Sequence, residues 1–283
     1  MIYVSSSCIK TKNIEEAVES LASEGILNIE LSGGSSYDEN IINTLVRLKE
    51  RYKLNLMAHN YFPPPKEDFV LNLASLNDDI YHRSMEHYKK AIEVSMAIDS
   101  DSFGMHAGFY INISTDRLGK RIKKSELFNK EKARERFCKG FDELKILAQG
   151  VDLYIENNVF SYVNYQEYPE SNPFMLTCYK EYKELSKMID FNLLLDVAHL
   201  KVSVRTLGLD WKSEFENMIE ESSYIHISDN DGFHDLNNQL TRGSSLLSIL
   251  SQVNVVNKDF TLEIYDDMNS IKKSHEILSE AVS

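Results

Sequence analysis

The segment at residues 192–200 brings together two side chains that commonly bind metal ions. An apolar run at 193–195 is followed by Asp196, and His199 comes three residues later. Such a run is typical of a strand buried on both faces, which places the carboxylate and the imidazole at the end of that strand. Both groups are ligands for divalent cations. Alone, the pair is better explained by Asp196 capping the next helix and His199 being a buried, hydrogen-bonded histidine.

The same residue types recur where other strands are predicted to end. Of the eight histidines in the chain, four lie at these positions or just beyond them. Each residue alone is explained as a polar side chain at the rim of a sheet, but the set as a whole favours a metal site. The set comprises Glu30, His59, His106, Glu156, Asp196, His199, His226 and Glu263.

Strand patterns and helix patterns alternate along the whole chain. Strands are predicted at 2–6, 26–31, 54–59, 102–106, 152–156, 192–196, 224–228 and 260–264. Helices are predicted at 13–23, 38–52, 78–98, 130–149, 177–189, 211–219, 245–252 and 270–281. Eight such units without a linker predict an α/β fold, a single-domain (β/α)8 TIM barrel over residues 1–283. The alternative, an open doubly wound sheet, is expected to carry a glycine-rich phosphate turn after the first strand, and residues 5–8 do not form one.

In a parallel barrel the carboxyl ends of the strands converge on one face, so these side chains are expected to meet. Carboxylate and imidazole ligands without cysteine suit Mn²⁺, Mg²⁺, Co²⁺, Fe²⁺ or Zn²⁺. Such an ion polarises a carbonyl or hydroxyl group, or generates hydroxide from water. Glu156 and Glu263, on opposite sides of the barrel, are placed to flank a sugar carbon and transfer its proton.

Around these residues the chain resembles the xylose isomerase-like TIM-barrel superfamily. This superfamily contains sugar and sugar-phosphate isomerases and epimerases, together with abasic-site nucleases of the endonuclease IV type. The resemblance covers essentially the whole chain. Its segments are M-A-H-N-Y (57–61), G-M-H-A-G (104–108), Y-I-E-N-N (154–158), L-L-D-V-A-H-L (194–200), Y-I-H-I-S-D-N-D-G (224–232) and L-E-I-Y (262–265).

Resemblance to the epimerase branch implies one metal ion held by Glu156, Asp196, His226 and Glu263. The two glutamates are then also the acid/base pair, and His199 contacts substrate oxygens. Resemblance to the nuclease branch implies three zinc ions that also use His59, His106, His199 and an Asp-x-His pair after strand seven.

That Asp-x-His pair departs from the nuclease pattern in this chain. It reads Asp235-Leu-Asn237, so an asparagine stands where the pattern has histidine, and His234 is displaced by three positions. Because asparagine is a poor zinc ligand, the resemblance supports a third metal less well than the first two.

The charge of the chain limits its partners. The formal net charge is −13, which is unfavourable for binding duplex DNA or an anionic membrane. We therefore expect a small sugar or sugar phosphate as substrate rather than nucleic acid. Glu30 is predicted to contact that substrate, and Arg242 is a candidate for contact with an anionic group on it. The basic run at 117–124 is interpreted as a solvated loop face, with a clamp for the same anionic group as the alternative.

Three features bear on the cellular environment. No apolar run approaches the roughly 20 residues that span a bilayer. The first ten residues do not resemble an export signal. The three cysteines are odd in number and far apart, which fits reduced thiols. These features predict a cytoplasmic protein without a membrane segment, and they leave open whether it forms a homo-oligomer.

Overall fold

In the computed structural model, which describes residues 1–282, eight parallel strands form a closed barrel. Each strand pairs with the next in sequence, and the first pairs with the last through Ile2–Phe260, Tyr3–Thr261 and Val4–Leu262. The predicted (β/α)8 barrel is thereby confirmed. The strands are β1 (Ile2–Ser5), β2 (Asn28–Leu31), β3 (Asn55–His59), β4 (Ser102–His106), β5 (Asp152–Glu156), β6 (Asn192–Asp196), β7 (Ser222–Ile227) and β8 (Asp259–Leu262).

Ten α-helices within residues 1–282 surround the barrel. Short 3-10 helices follow β1 at Ser6–Cys8 and β4 at Thr115–Arg117. The α-helices are α1 (Ile14–Ser23), α2 (Ile41–Tyr52), α3 (Asp78–Ala97), α4 (Lys130–Leu147), α5 (Tyr162–Glu167), α6 (Tyr179–Leu185), α7 (Val197–Leu207), α8 (Trp211–Glu221), α9 (Ser245–Leu250) and α10 (Met268–Ala281).

Side-chain caps begin most of the long helices. A preceding Asn or Asp accepts a hydrogen bond from a backbone N–H of the first turn, as Asn13 does for α1 and Asn77 for α3. The helices then bury one apolar face against the barrel. In α1 that face is formed by residues three and four apart: Ile14, Ala17, Val18 and Leu21.

Two helices were not predicted, and the ends of several other elements differ from the prediction by a few residues. The segments that form α5 and α7 were not predicted as helices. The first is only six residues long, and the second begins directly after β6 with no loop between them. The strand β8 ends at Leu262, so Glu263 follows the strand rather than lying within it.

The interior of the barrel is layered because alternate residues of a strand point to the same face. Towards the amino ends of the strands, Tyr3, Met57, Leu194 and Tyr224 pack together as an apolar cluster. Two residues further along β3, β6 and β7 stand His59, Asp196 and His226. This apolar layer therefore forms the floor beneath the polar residues.

None of the helices within residues 1–282 combines the length and apolar character needed to cross a bilayer.

Candidate metal centre

Glu156 occupies the centre of the polar layer. It is the last residue of β5, and only 1% of its surface is exposed. Its Oε2 lies 2.7 Å from Nε2 of His59 and 3.1 Å from Nδ1 of His106. Its Oε1 lies 3.6 Å from Nδ1 of His199 and 3.6 Å from Nδ1 of His226. One carboxylate thus contacts imidazoles from β3, β4, β7 and the start of α7.

His226 has one paired and one unpaired ring nitrogen. Its Nε2 lies 2.8 Å from Oε2 of Glu30, which fixes the ring by accepting the Nε2–H. Its buried Nδ1 has no hydrogen-bond partner and faces Oε1 of Glu156 at 3.6 Å and Oε2 of Glu263 at 3.7 Å. A buried nitrogen without a hydrogen-bond partner is costly, and this one faces two carboxylates, so it fits a metal ligand whose proton a bound cation would displace.

Glu30 lies beneath the site rather than at its surface. It is fully buried, accepts a hydrogen bond from Oγ of Ser32 at 3.0 Å and another from Oγ1 of Thr261 at 3.2 Å, and does not line the cavity. The predicted contact between Glu30 and substrate is therefore corrected: this carboxylate orients His226.

Asp196 caps a helix and also lies among the candidate metal ligands, the two roles that the sequence had left open. Its Oδ1 accepts a hydrogen bond from the backbone N–H of His199 at 2.7 Å and so caps α7, while its Oδ2 lies 3.7 Å from Nδ1 of His199. The Nδ1–H of His199 donates to the backbone oxygen of Asn157 at 2.9 Å, and its Nε2 faces Oδ2 of Asp235 at 3.2 Å. His199 therefore links Asp196 to the loop after β7.

Asn157 is a supporting residue that the sequence did not identify. Its side-chain oxygen accepts from the N–H of Asp196 at 2.8 Å, and its side-chain amide donates to the Asp196 carbonyl at 3.0 Å. These two bonds, with that from His199, hold β6 against β5 at the level of the site. Its position directly after Glu156, in Y-I-E-N-N, is the only signal that the sequence offers.

Within residues 1–282, four groups of three residues bring their ligand atoms within 4.8 Å of one another. The first two are Glu30–His59–His226 and His59–His106–Glu156, and the others are Glu156–Asp196–His199 and Asp196–His226–Glu263. Nδ1 of His106, like that of His226, is buried without a hydrogen-bond partner. The donor set and the two unpaired nitrogens fit one or more divalent ions.

The carboxylates experience opposing electrostatic effects. Burial disfavours the ionised form of Glu156, but His106 and His59 outweigh burial and hold its pKa well below its usual range. Burial raises the pKa of Glu263, and it raises the pKa of Asp196 to about 7. The last two carboxylates are those whose ionised form a bound cation would stabilise most.

Some predicted residues are not brought to this site. Arg242 is exposed, pairs with Glu280 of α10 and does not line the cavity, which corrects its predicted contact with substrate. In the basic run, Arg121 pairs with Glu167, while Lys120 lies on the cavity wall. His234 also lies on the cavity wall, but its side chain is 64% exposed and turned towards Asp231, with its Nδ1 2.9 Å from Oδ2.

The site opens into a cavity of about 1420 Å³ at the carboxyl ends of the strands. Residues following all eight strands line it, and His59, His106, Glu156, His199 and Glu263 form part of its wall. Asp235 and Asn237 also line it, beside His199. The cavity therefore gives a small molecule access to the centre.

Comparisons with known proteins agree with this architecture. A D-tagatose 3-epimerase-like protein superposes with a TM-score of 0.74 at 18% identity, covering 99% of this chain and 96% of the other. D-psicose 3-epimerase from Clostridium cellulolyticum H10 gives 0.67 at 13% identity, covering 99% and 97%. Endonuclease IV from Thermus thermophilus gives 0.62 at 15% identity, covering 99% and 98%. At these identities the likeness shows a shared fold.

Sequence comparison with curated proteins gives no match. The family model described as xylose isomerase-like TIM barrel, in contrast, matches residues 16–281, nearly the whole chain. The chain therefore belongs to the xylose isomerase-like TIM barrel family.

Proposed function

We propose that this protein is a divalent-metal-dependent isomerase or epimerase of a sugar or sugar derivative. The observation that carries the proposal is the unpaired Nδ1 of His226, which faces Glu156 and Glu263 at 3.6 and 3.7 Å. It gives the centre a neutral nitrogen ligand between two carboxylates that can also transfer protons.

Four residues would hold the ion: Glu156, Asp196, His226 and Glu263. When bound, a divalent ion polarises a carbonyl group and so acidifies the neighbouring C–H bond. Glu30 holds the imidazole of His226 in place, and the pair of hydrogen bonds from Asn157 holds the backbone of Asp196. The protein thus supplies a preorganised set of ligands rather than one assembled by substrate.

The two glutamates are the proposed acid/base pair. One carboxylate removes the proton from the carbon beside the carbonyl, and the C–H electron pair becomes the enolate. The other glutamate returns a proton, either to the opposite face of that carbon, which is epimerisation, or to the neighbouring carbon, which is isomerisation. Glu263, whose side chain is 13% exposed, is open to the cavity, and Glu156 also lines it. The names of two structural neighbours, a D-tagatose 3-epimerase-like protein and a D-psicose 3-epimerase, support this class of reaction.

A second candidate is a phosphodiester hydrolase of the endonuclease IV type. The observation that favours it is the trio His59–His106–Glu156, in which one carboxylate oxygen lies 2.7 and 3.1 Å from the two imidazoles. The four-residue ligand set leaves both histidines unused, whereas His59, His106 and Glu156 would hold a second ion. Such an ion would supply activated water for phosphodiester cleavage.

Metal content and proton exchange separate the two candidates. The protein would be loaded with Mn²⁺, Co²⁺ or Zn²⁺, its ions per chain counted, and then incubated in D2O with a panel of ketoses, aldoses and their phosphates. We expect one tightly held ion and deuterium at a carbon beside the carbonyl, detected by NMR. Two or three zinc ions, with cleavage of abasic-site DNA and no deuterium incorporation, would replace the first candidate with the second.

His82→Asn is a suitable control, because His82 is an exposed residue of α3 and should affect neither metal content nor exchange. Asp196→Asn should lose the ion, since it removes a charged ligand at the centre of the set.

A further inference from the structure

A glycine-containing turn after β2, residues 32–36, forms part of the cavity wall. The N–H of Ser36 donates to the carbonyl of Lys12 at 2.8 Å, and Nζ of Lys12 donates to the carbonyl of Gly34 at 3.0 Å. A Cβ on Gly33 would lie 2.9 Å from Cβ of Tyr61, and Gly34 has a φ of +105°. Only glycine fits these two positions, so the turn has a defined shape.

Several donors of this turn have no partner. The Oγ atom of Ser35 is buried and makes no hydrogen bond. The backbone N–H groups of Gly33, Gly34 and Ser35 also donate to no group within residues 1–282. Successive free N–H groups beside a hydroxyl form a concavity that binds anions.

The charged side chains along this part of the cavity are mostly basic. Among the lining residues that follow β1 to β4 there are four lysines, Lys10, Lys12, Lys66 and Lys120, and one carboxylate, Asp68. None of the four ammonium groups forms an ion pair within residues 1–282. In a chain with 44 acidic and 31 basic residues, lysines without an ion-pair partner along the cavity favour an anionic ligand, and Lys12 is the one whose ammonium group contacts the turn.

We propose that the turn at 32–36, together with Lys10 and Lys12, binds the anionic end of the substrate. The ligand class is an open-chain sugar that carries a phosphate or a carboxylate. This inference rests on the proposed function, because it assumes that the reacting carbons of the same molecule lie at Glu156 and Glu263. The proposed anion-binding residues follow β1 and β2, whereas the sequence had suggested Arg242.

Hydrogen bonds connect the turn to the metal centre. The Oγ of Ser32, the first residue of the turn, donates to Oε1 of Glu30 at 3.0 Å, and Oε2 of Glu30 holds His226. Oγ of Ser5 donates to Oγ of Ser32 at 2.9 Å, and Oγ of Ser6 accepts from the N–H of Ser32 at 2.9 Å. An anion bound at the turn therefore has a fixed position relative to the residues that would act on the sugar.

The test measures binding of inorganic phosphate and of acetate to the metal-loaded protein by titration calorimetry. Lys10→Met and Ser35→Ala are the informative variants. Lys10 makes no hydrogen bond within residues 1–282, and the Ser35 hydroxyl has no partner to lose, so neither change should destabilise the fold. Lys66→Met and Lys120→Met are matched controls, since they remove the same charge elsewhere on the cavity wall.

We expect affinity for the preferred anion to fall about tenfold in Lys10→Met and about threefold in Ser35→Ala, the size of one lost charged or neutral hydrogen bond. The Lys66 and Lys120 variants should change it less than twofold. A preference for phosphate supports a phosphorylated sugar, and a preference for acetate supports a sugar acid. Equal losses in all four variants, or no loss in the first two, would overturn the proposal.

Asp196→Asn separates this proposal from the proposed function. Anion binding at the turn should survive loss of the metal ion in that variant. Binding that disappears in Asp196→Asn but is unchanged in Lys10→Met would mean that phosphate binds the metal, and the subsite would be rejected while the metal site stands. Binding at the turn with no metal in the wild-type protein would reject the metal-dependent function and leave the subsite.

Discussion

The two halves of the barrel mouth carry opposite charge. Among the residues that line the cavity, those following β1 to β4 include four lysines and one carboxylate outside the metal centre. Those following β5 to β8 include three carboxylates, Glu156, Asp235 and Glu263, and neither lysine nor arginine. The lining histidines His59 and His106 come from the first half, and His199 and His234 come from the second.

This difference in charge suits the two halves of the cavity to different roles. Buried carboxylates are unfavourable unless a cation neutralises them, so the second half is suited to hold a metal ion and exchange protons. Unpaired lysines on the facing loops are suited to hold an anion. A substrate with one anionic end would therefore enter in one orientation, with its reacting carbons at the carboxylates.

We expect the largest effect on turnover from substitution of Glu156, in the half of the cavity that carries the carboxylates. Glu156→Gln keeps the volume and a hydrogen-bonding group for His59 but removes both the charge and the base. We expect the melting temperature to stay near that of the wild type, while turnover falls by about 10²-fold or more. Glu280→Gln, a surface carboxylate of α10, is the control. Activity retained in Glu156→Gln would remove the proposed proton transfer.

The Glu30→Gln variant tests a carboxylate of the first half of the barrel that supports His226 in the second half. Because Glu30 holds Nε2 of His226 at 2.8 Å, its loss should weaken metal affinity about ten- to a hundredfold. Competition with a chelator measures this without an activity assay. A raised KM with unchanged metal affinity would instead restore the substrate contact that the sequence suggested.

The Lys10→Met variant tests the half of the cavity that carries the lysines, through its effect on KM and kcat. We expect the KM for an anionic sugar to rise about tenfold with little change in kcat, because the lost contact is the same in the ground state and the transition state. The neutral form of the same sugar serves as the internal control. An equal rise in KM for both sugars would show that charge is not what Lys10 recognises.

Arg242→Met should have the smallest effect. The guanidinium lies outside both halves and is paired with Glu280 on the exposed surface, where ion pairs contribute little. We expect unchanged KM, kcat and metal content. A raised KM for an anionic substrate only would return Arg242 to the binding site.

The sequence by itself determined the architecture and most of the site. The strands β4, β5 and β6 have the predicted bounds, because short apolar runs between polar segments leave little freedom in register. Any parallel barrel brings the carboxyl ends of its strands together, so His59, Glu156, Asp196 and His226 had to meet once the fold was recognised. The helix α7 was not predicted, because Asp196 is both the last residue of a strand and the N-terminal cap of the helix that follows it.

Only the tertiary structure decided which atoms face each other. Glu30 and His226 are 196 residues apart in sequence, and their contact at 2.8 Å decides which imidazole nitrogen remains free. Strand periodicity specifies the face on which a side chain lies, but not its distance from side chains on other strands. For the same reason the lysines of separate loops became recognisable as one basic wall, and Arg242 as a surface residue, only when the loops were placed around the barrel.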